Sequence, residues 1–125
     1  MSIPENLKYT IDHEWIRLDN DVAFVGVTDY AVEALGDVVF VELPEPGTSV
    51  TAGDSCGEIE STKSVSDLVS PATGDVLESN TAVSEKPDIL NSDPYGDGWL
   101  IKIRITGDLA VLDHLQYAEL IAKTP

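Results

Sequence analysis

Apolar and polar positions in this chain fall into short runs closed by turn signals, a pattern that predicts a mostly β protein. Trp15–Asp19 and Val22–Val27 flank the polar pair Asn20 and Asp21 and read as a hairpin. Thr28 is an N-cap for a short helix over Asp29–Leu35, which Gly36 stops. Val38–Glu42 is β-branched and continuously apolar, which predicts a strand buried on both faces; Pro44 to Gly47 then breaks the chain. Between Thr48 and Ser79 short strands are separated by glycine and proline, with no helical period. Within that stretch Gly57-Glu-Ile-Glu-Ser61 is echoed by Gly74-Asp-Val-Leu-Glu-Ser79. The echo predicts two similar β units with Lys63 between them, near the tip of a hairpin.

Pro87 limits any helix over Glu85–Leu90 to one turn, and Asn91–Gly98 is turn-rich throughout. In Trp99–Thr106 the apolar Ile101, Ile103 and Ile105 alternate with Lys102 and Arg104, as in a half-buried strand. Leu109, Leu112, Leu115, Leu120 and Ile121 recur at helical spacings, so the stretch 108–123 is expected to be one amphipathic helix or two short ones. The expected architecture is a β sandwich or flattened barrel with short peripheral helices, a single domain over residues 1–125.

Charge removes one class of function. Seven Lys and Arg against 23 Asp and Glu give a net charge of −16, which excludes phosphate-backbone binding as a main activity. The same field favours encounters with cationic partner surfaces. Cys56 is the only cysteine, so no intrachain disulfide forms, and a reducing compartment is expected. Its neighbours Asp54 and Glu58 would raise the thiol pKa, and a small core residue is the expected role. No run of about 18 apolar residues is present, so no membrane span is expected. The start of the chain has neither a basic nor an apolar leader segment, which fits a cytoplasmic protein, or a mitochondrial matrix protein already trimmed of a transit peptide.

Catalytic machinery is hard to assemble from this inventory. His13 and His114 lie far apart in sequence and in no metal-ligand spacing, and no phosphate-binding loop, dinucleotide fingerprint or nucleophile elbow occurs. Both histidines are expected to be structural. His13 and Glu14 are adjacent, and on a strand such neighbours point to opposite faces. Lys63 is different: no other Lys or Arg occurs between Arg17 and Lys86. At a hairpin tip its amine is either an ordinary solvated charge or the attachment point for a covalent cofactor. A lysine stem extended by a lipoyl chain reaches roughly 10–15 Å from the backbone, enough for one small domain to serve several active sites.

Five segments carry a closer likeness. Tyr9-Thr-Ile-Asp-His-Glu-Trp15, Gly36-Asp-Val-Val-Phe-Val-Glu-Leu-Pro-Glu-Pro-Gly47, Glu60-Ser-Thr-Lys-Ser64, Ser70-Pro-Ala-Thr-Gly-Asp-Val76 and Asp93-Pro-Tyr-Gly-Asp-Gly-Trp99 resemble, in order, the H-protein family of the glycine cleavage system. The resemblance implies the lipoyl/biotinyl-type sandwich. It favours lipoyl over biotinyl, since biotin carriers flank the lysine with methionine where this chain has Thr62 and Ser64. It implies (R)-lipoate in amide linkage to Lys63 and a non-enzymatic carrier in glycine catabolism and one-carbon metabolism; oligomeric state stays open, a monomer being the simplest form for a carrier that visits several enzymes. The implied partners are glycine decarboxylase (P protein), the tetrahydrofolate-dependent aminomethyltransferase (T protein), dihydrolipoamide dehydrogenase (L protein) and the lipoate-attaching enzymes. In the family the loaded arm is held in a surface cleft, and the matching carboxylates are Glu14 and Asp67. Two other roles stay open: a lipoyl relay or donor for other enzymes, and an unmodified interaction module.

Overall fold

The protein is described from a computed structural model in which residues 3–123 are defined. Among the described residues nine strands and four helices follow one another as β1 (Lys8–Tyr9), β2 (Glu14–Asp19), β3 (Val22–Val27), α1 (Asp29–Leu35), β4 (Val38–Glu42), β5 (Ser49–Val50), β6 (Ser55–Ser61), β7 (Val65–Val69), β8 (Ala72–Ser79), α2 (Thr81–Glu85), α3 (Ile89–Ser92), β9 (Ile101–Leu109) and α4 (His114–Ala122). The strands form a large sheet in the order β1-β2-β3-β9-β8-β5 and a small one in the order β4-β6-β7, with every pairing antiparallel. Val25, Val76 and Ile103 from the large sheet join Val41, Ile59 and Leu68 from the small one in a shared apolar core. A second cluster, built on Tyr9, Trp15 and Tyr117, packs α4 against β1 and β2. This is the mainly β, two-sheet sandwich with short helices that the sequence predicts.

The first hairpin and α1 lie where the pattern places them. Asn20 turns the chain with a positive φ of 55°, and the Thr28 side chain accepts from Ala31 N to cap the helix. The sequence echo maps onto one strand of each sheet. Gly57 and Gly74 are each the third residue of their strand, each at a shift in pairing register. A Cβ on Gly57 would sit 2.4 Å from Glu42 O and one on Gly74 1.9 Å from Arg104 O, so each position admits only glycine as it stands.

Three expectations need correction. β4 is not buried on both faces: it is the edge of the small sheet, and Val39 and Phe40 face outward at 52% and 47% exposure. Apolarity alone could not distinguish a central strand from an edge. Helical turns occur on either side of Pro87 rather than across it, as α2 and α3, because proline cannot donate within a helix. The last helix starts at His114, where Asp113 and Gln116 form a reciprocal capping box; Asp108 and Leu109 instead complete β9 against Ala72.

Candidate functional site

Lys63 is the middle residue of the three-residue link 62–64 that joins β6 to β7, and it is exposed. Neither Thr62 nor Lys63 has the positive φ that the tightest hairpin turns use, so other bonds must hold the tip. Ser61 supplies them. Its Oγ accepts from the backbone N–H groups of Lys63 and Ser64, both at 3.1 Å, and donates to Ser64 O at 3.2 Å. Thr62 N donates to Asp37 O at 3.0 Å, tying the tip to the α1–β4 connection. Asn91 secures that connection in turn, donating to Gly36 O at 2.8 Å and accepting from Val38 N at 3.0 Å. The Lys63 side chain lies across Gly36, where a Cβ would come within 3.0 Å of its Cε.

A cleft of about 290 Å³ opens beside this tip. Tyr30, Ala31 and Leu35 of α1 form one wall, and Ser64 to Asp67 of the hairpin form the other. His13, Glu14 and Val27 line it between them. The structure therefore brings both sequence-predicted carboxylates to one cleft next to Lys63, in very different settings. Asp67 is exposed, whereas Glu14 is only 2% exposed. Glu14 Oε2 accepts from Val69 N at 2.9 Å, and Oε1 lies 3.3 Å from Thr10 Oγ1. Burial outweighs these bonds and pushes the Glu14 carboxyl up to about 8.

His13 is held by its packing, but it does not lie on a strand: it precedes β2 with a positive φ of 64°, so that it and Glu14 line the same cleft rather than facing opposite ways. Its Nδ1 lies 2.9 Å from the Tyr117 hydroxyl and its ring packs against Tyr30 with centroids 4.7 Å apart. Burial lowers its pKa, against the opposing charge of Asp12. A larger depression of about 510 Å³ lies at the opposite end of β6, around Cys56, Glu42, Asp54 and Glu58. The Cys56 thiol is pushed up to about 12, first by burial and then by the charge of Glu14, rather than by its sequence neighbours. A thiol so poised is not a nucleophile at neutral pH.

Sequence reasoning missed Ser61, Asn91 and Tyr117. Ser61 was visible as a hydroxyl two residues before the lysine. The other two act across 55 and 104 positions, on Gly36 and His13, and no local pattern marks them.

Comparison with known proteins agrees with this geometry. Residues 7–125 match the family described as Glycine cleavage H-protein. The glycine cleavage system H protein of Beutenbergia cavernae is 55% identical over 120 residues, covering 96% of this chain and 97% of that protein. That of Bacteroides fragilis is 53% identical over 119 residues, covering 95% and 94%. A crystal structure of a glycine cleavage system H protein from Mycobacterium marinum superposes with a TM-score of 0.92 at 48% identity, covering 96% of this chain and 99% of that one. The five segments, the two-sheet fold and these matches agree, and the chain belongs to the glycine cleavage H-protein family.

Proposed function

We propose that this chain is the lipoyl-bearing shuttle of a glycine cleavage system, one carrier domain with (R)-lipoate in amide linkage to Lys63. The observation that carries the reading is the pairing of an exposed lysine on a tied turn with a cleft immediately beside it. Lipoate would supply a disulfide that accepts an aminomethyl group reductively and is regenerated by oxidation. The chain's own residues do the rest. Ser61 and the Asp37 carbonyl hold the tip so that the Lys63 amine meets an attaching enzyme in a fixed frame. The cleft is sized for a narrow chain, with Val27, Ala31 and Leu35 offering apolar contact and Asp67 and Glu14 offering carboxyl groups to a cationic end.

On this reading the protein is not an enzyme. Glycine decarboxylase (P protein) loads it, the aminomethyltransferase (T protein) unloads it and dihydrolipoamide dehydrogenase (L protein) reoxidises it, after lipoate-attaching enzymes have modified Lys63. The acidic surface would meet basic patches on these partners. A carrier visiting several active sites in turn is best served as a monomer. The bacterial relatives favour the cytoplasm over the mitochondrial matrix.

The test is intact mass after expression with lipoate, peptide mapping around Lys63, and turnover by the P and T proteins. One lipoyl adduct on Lys63 with turnover establishes the shuttle. An adduct without turnover moves the chain to the lipoyl-relay role. An unmodified chain, beside a control domain that the same ligase modifies, leaves an interaction module.

A further inference from the structure

Tyr117 stands on α4, fully buried, with its hydroxyl between two side chains from elsewhere in the chain. It lies 2.8 Å from Thr28 Oγ1 and 2.9 Å from His13 Nδ1. The Thr28 oxygen already accepts from Ala31 N at 3.2 Å, in capping α1. These contacts set the direction of the protons. If Thr28 donates to Tyr117 and Tyr117 donates to His13 Nδ1, each hydroxyl proton has an acceptor and each acceptor a donor. In the reverse direction the Thr28 proton would have no acceptor among these contacts. The favoured direction requires a neutral imidazole with its proton on Nε2.

We propose that Tyr117 is a positioning residue for the cleft: it fixes His13 as the Nε2–H imidazole, so that the ring brings a hydrogen-bond donor rather than a proton acceptor to the space beside Lys63. The surroundings favour this state. Tyr30 from α1 packs against the ring at a tilt of 38°, and Tyr117 closes its Nδ1 side. Asp12 adjoins it in sequence, and Glu14 and Asp67 line the same cleft. All three carboxyl groups can pair with a primary ammonium ion, and an ionised carboxylate does so without drawing off its proton, because an aliphatic amine is the far stronger base. A free imidazole lone pair would compete with those carboxylates as an acceptor for the ammonium N–H groups. Tyr117 removes that lone pair from reach. Through one hydroxyl the C-terminal helix also joins the N-terminus of α1, which forms a cleft wall, to the turn that carries His13.

The proposal deepens the carrier reading, since its consequence concerns a cationic cargo, yet it is tested on the unmodified chain and stands or falls without lipoate. The experiment is nitrogen-15 NMR of the two imidazoles through a pH titration, in wild type and Tyr117→Phe. The neutral His13 ring of wild type is expected to carry its proton on Nε2, with a coupling from the Tyr117 hydroxyl proton to Nδ1. Losing a donor to the neutral ring should raise the His13 protonation constant about 2- to 10-fold in the variant. A wild-type ring protonated on Nδ1 overturns the proposal, as does an unchanged or smaller protonation constant in the variant; a smaller one would mean that His13 donates to Tyr117. If the variant does not fold, the tautomer and the cross-bond coupling of wild type decide the matter alone.

Discussion

The backbone N–H of Val69 donates to Glu14 Oε2 at 2.9 Å, so a carboxyl from the large sheet closes the open edge of the strand that descends from Lys63. β7 is the last strand of its sheet, and an edge N–H turned inward needs a partner. Glu14 meets that need at the cost of leaving water. The desolvation raises its carboxyl to about 8, above the 4.5 of an exposed glutamate, so at neutral pH most of the folded molecules hold a neutral acid there.

A pH dependence follows. Between about pH 4.5 and 8 the unfolded chain has released the Glu14 proton while the folded one keeps it, so folding stability falls as pH rises through that window. The contribution is fully present below 4.5 and lost above 8, and its size is on the order of a few kcal/mol. Glu14→Gln keeps the shape and the acceptor for Val69 N–H but cannot titrate. Urea unfolding of both proteins at pH 5, 6.5 and 8 should show the wild type losing stability relative to the variant. Parallel curves would mean that Glu14 is ionised in the folded protein throughout.

Neutrality of Glu14 also bears on cargo. A charge-assisted hydrogen bond contributes about 1.5–3 kcal/mol, or roughly 10- to 150-fold in a held-to-free equilibrium. With the carboxyl at about 8, only about a tenth of it is ionised at pH 7, which trims that factor by about ten. Glu14→Ala is therefore expected to speed loss of a carried amine by about 1- to 15-fold at pH 7, and by more at pH 8.5, without preventing lipoate attachment. Half-lives of isolated loaded protein at the two pH values check this. A ratio that does not grow with pH would transfer the holding role to Asp67.

Much of this arrangement was legible in the sequence because it is local. The hairpin at Asn20, the Thr28 cap and the Ser61 bonds at the Lys63 tip rest on residues within a few positions of one another, where turn and capping chemistry decide the outcome, whereas the tie from Thr62 N to Asp37 O is not local. Burial was harder to read. Residues 38–41 are uniformly apolar, and nothing in them shows that the strand is an edge whose pairing shifts register between Val38 and Phe40, leaving Val39 and Phe40 exposed. Glu14 was legible as a candidate but not as a buried acid, because its partner Val69 lies 55 residues away. The strand running on to Leu109 was hidden by Gly107 and Asp108, which look like a turn; the pairing with β8 shifts register after Ile105 and resumes where Leu109 faces Ala72.

Lys63→Arg separates attachment from folding. Arginine keeps the positive charge at an exposed turn and has no amine that can be acylated. Stability should stay within about 0.5 kcal/mol of wild type, as for most surface changes. Intact mass should show no lipoyl adduct under conditions that modify the wild type, and glycine cleavage should be lost. Activity surviving in this variant would remove Lys63 from the function altogether.

Ser61 governs how that lysine is presented. Its hydroxyl takes both tip N–H groups in a turn that lacks the positive φ of the favoured two-residue hairpins. Ser61→Ala removes three hydrogen bonds from a side chain only 7% exposed. Water can reach the tip amides once they are freed, so the expected loss is about 1–2 kcal/mol rather than the sum of three bonds. The effect should be concentrated at the tip. Amide exchange at Lys63 and Ser64 should rise well above that of β6 residues such as Ile59, and lipoate attachment should slow while the endpoint mass stays the same. A slower attachment with unchanged exchange would place Ser61 in contact with the attaching enzyme, whereas faster exchange together with slower attachment would show that the enzyme reads a preformed turn.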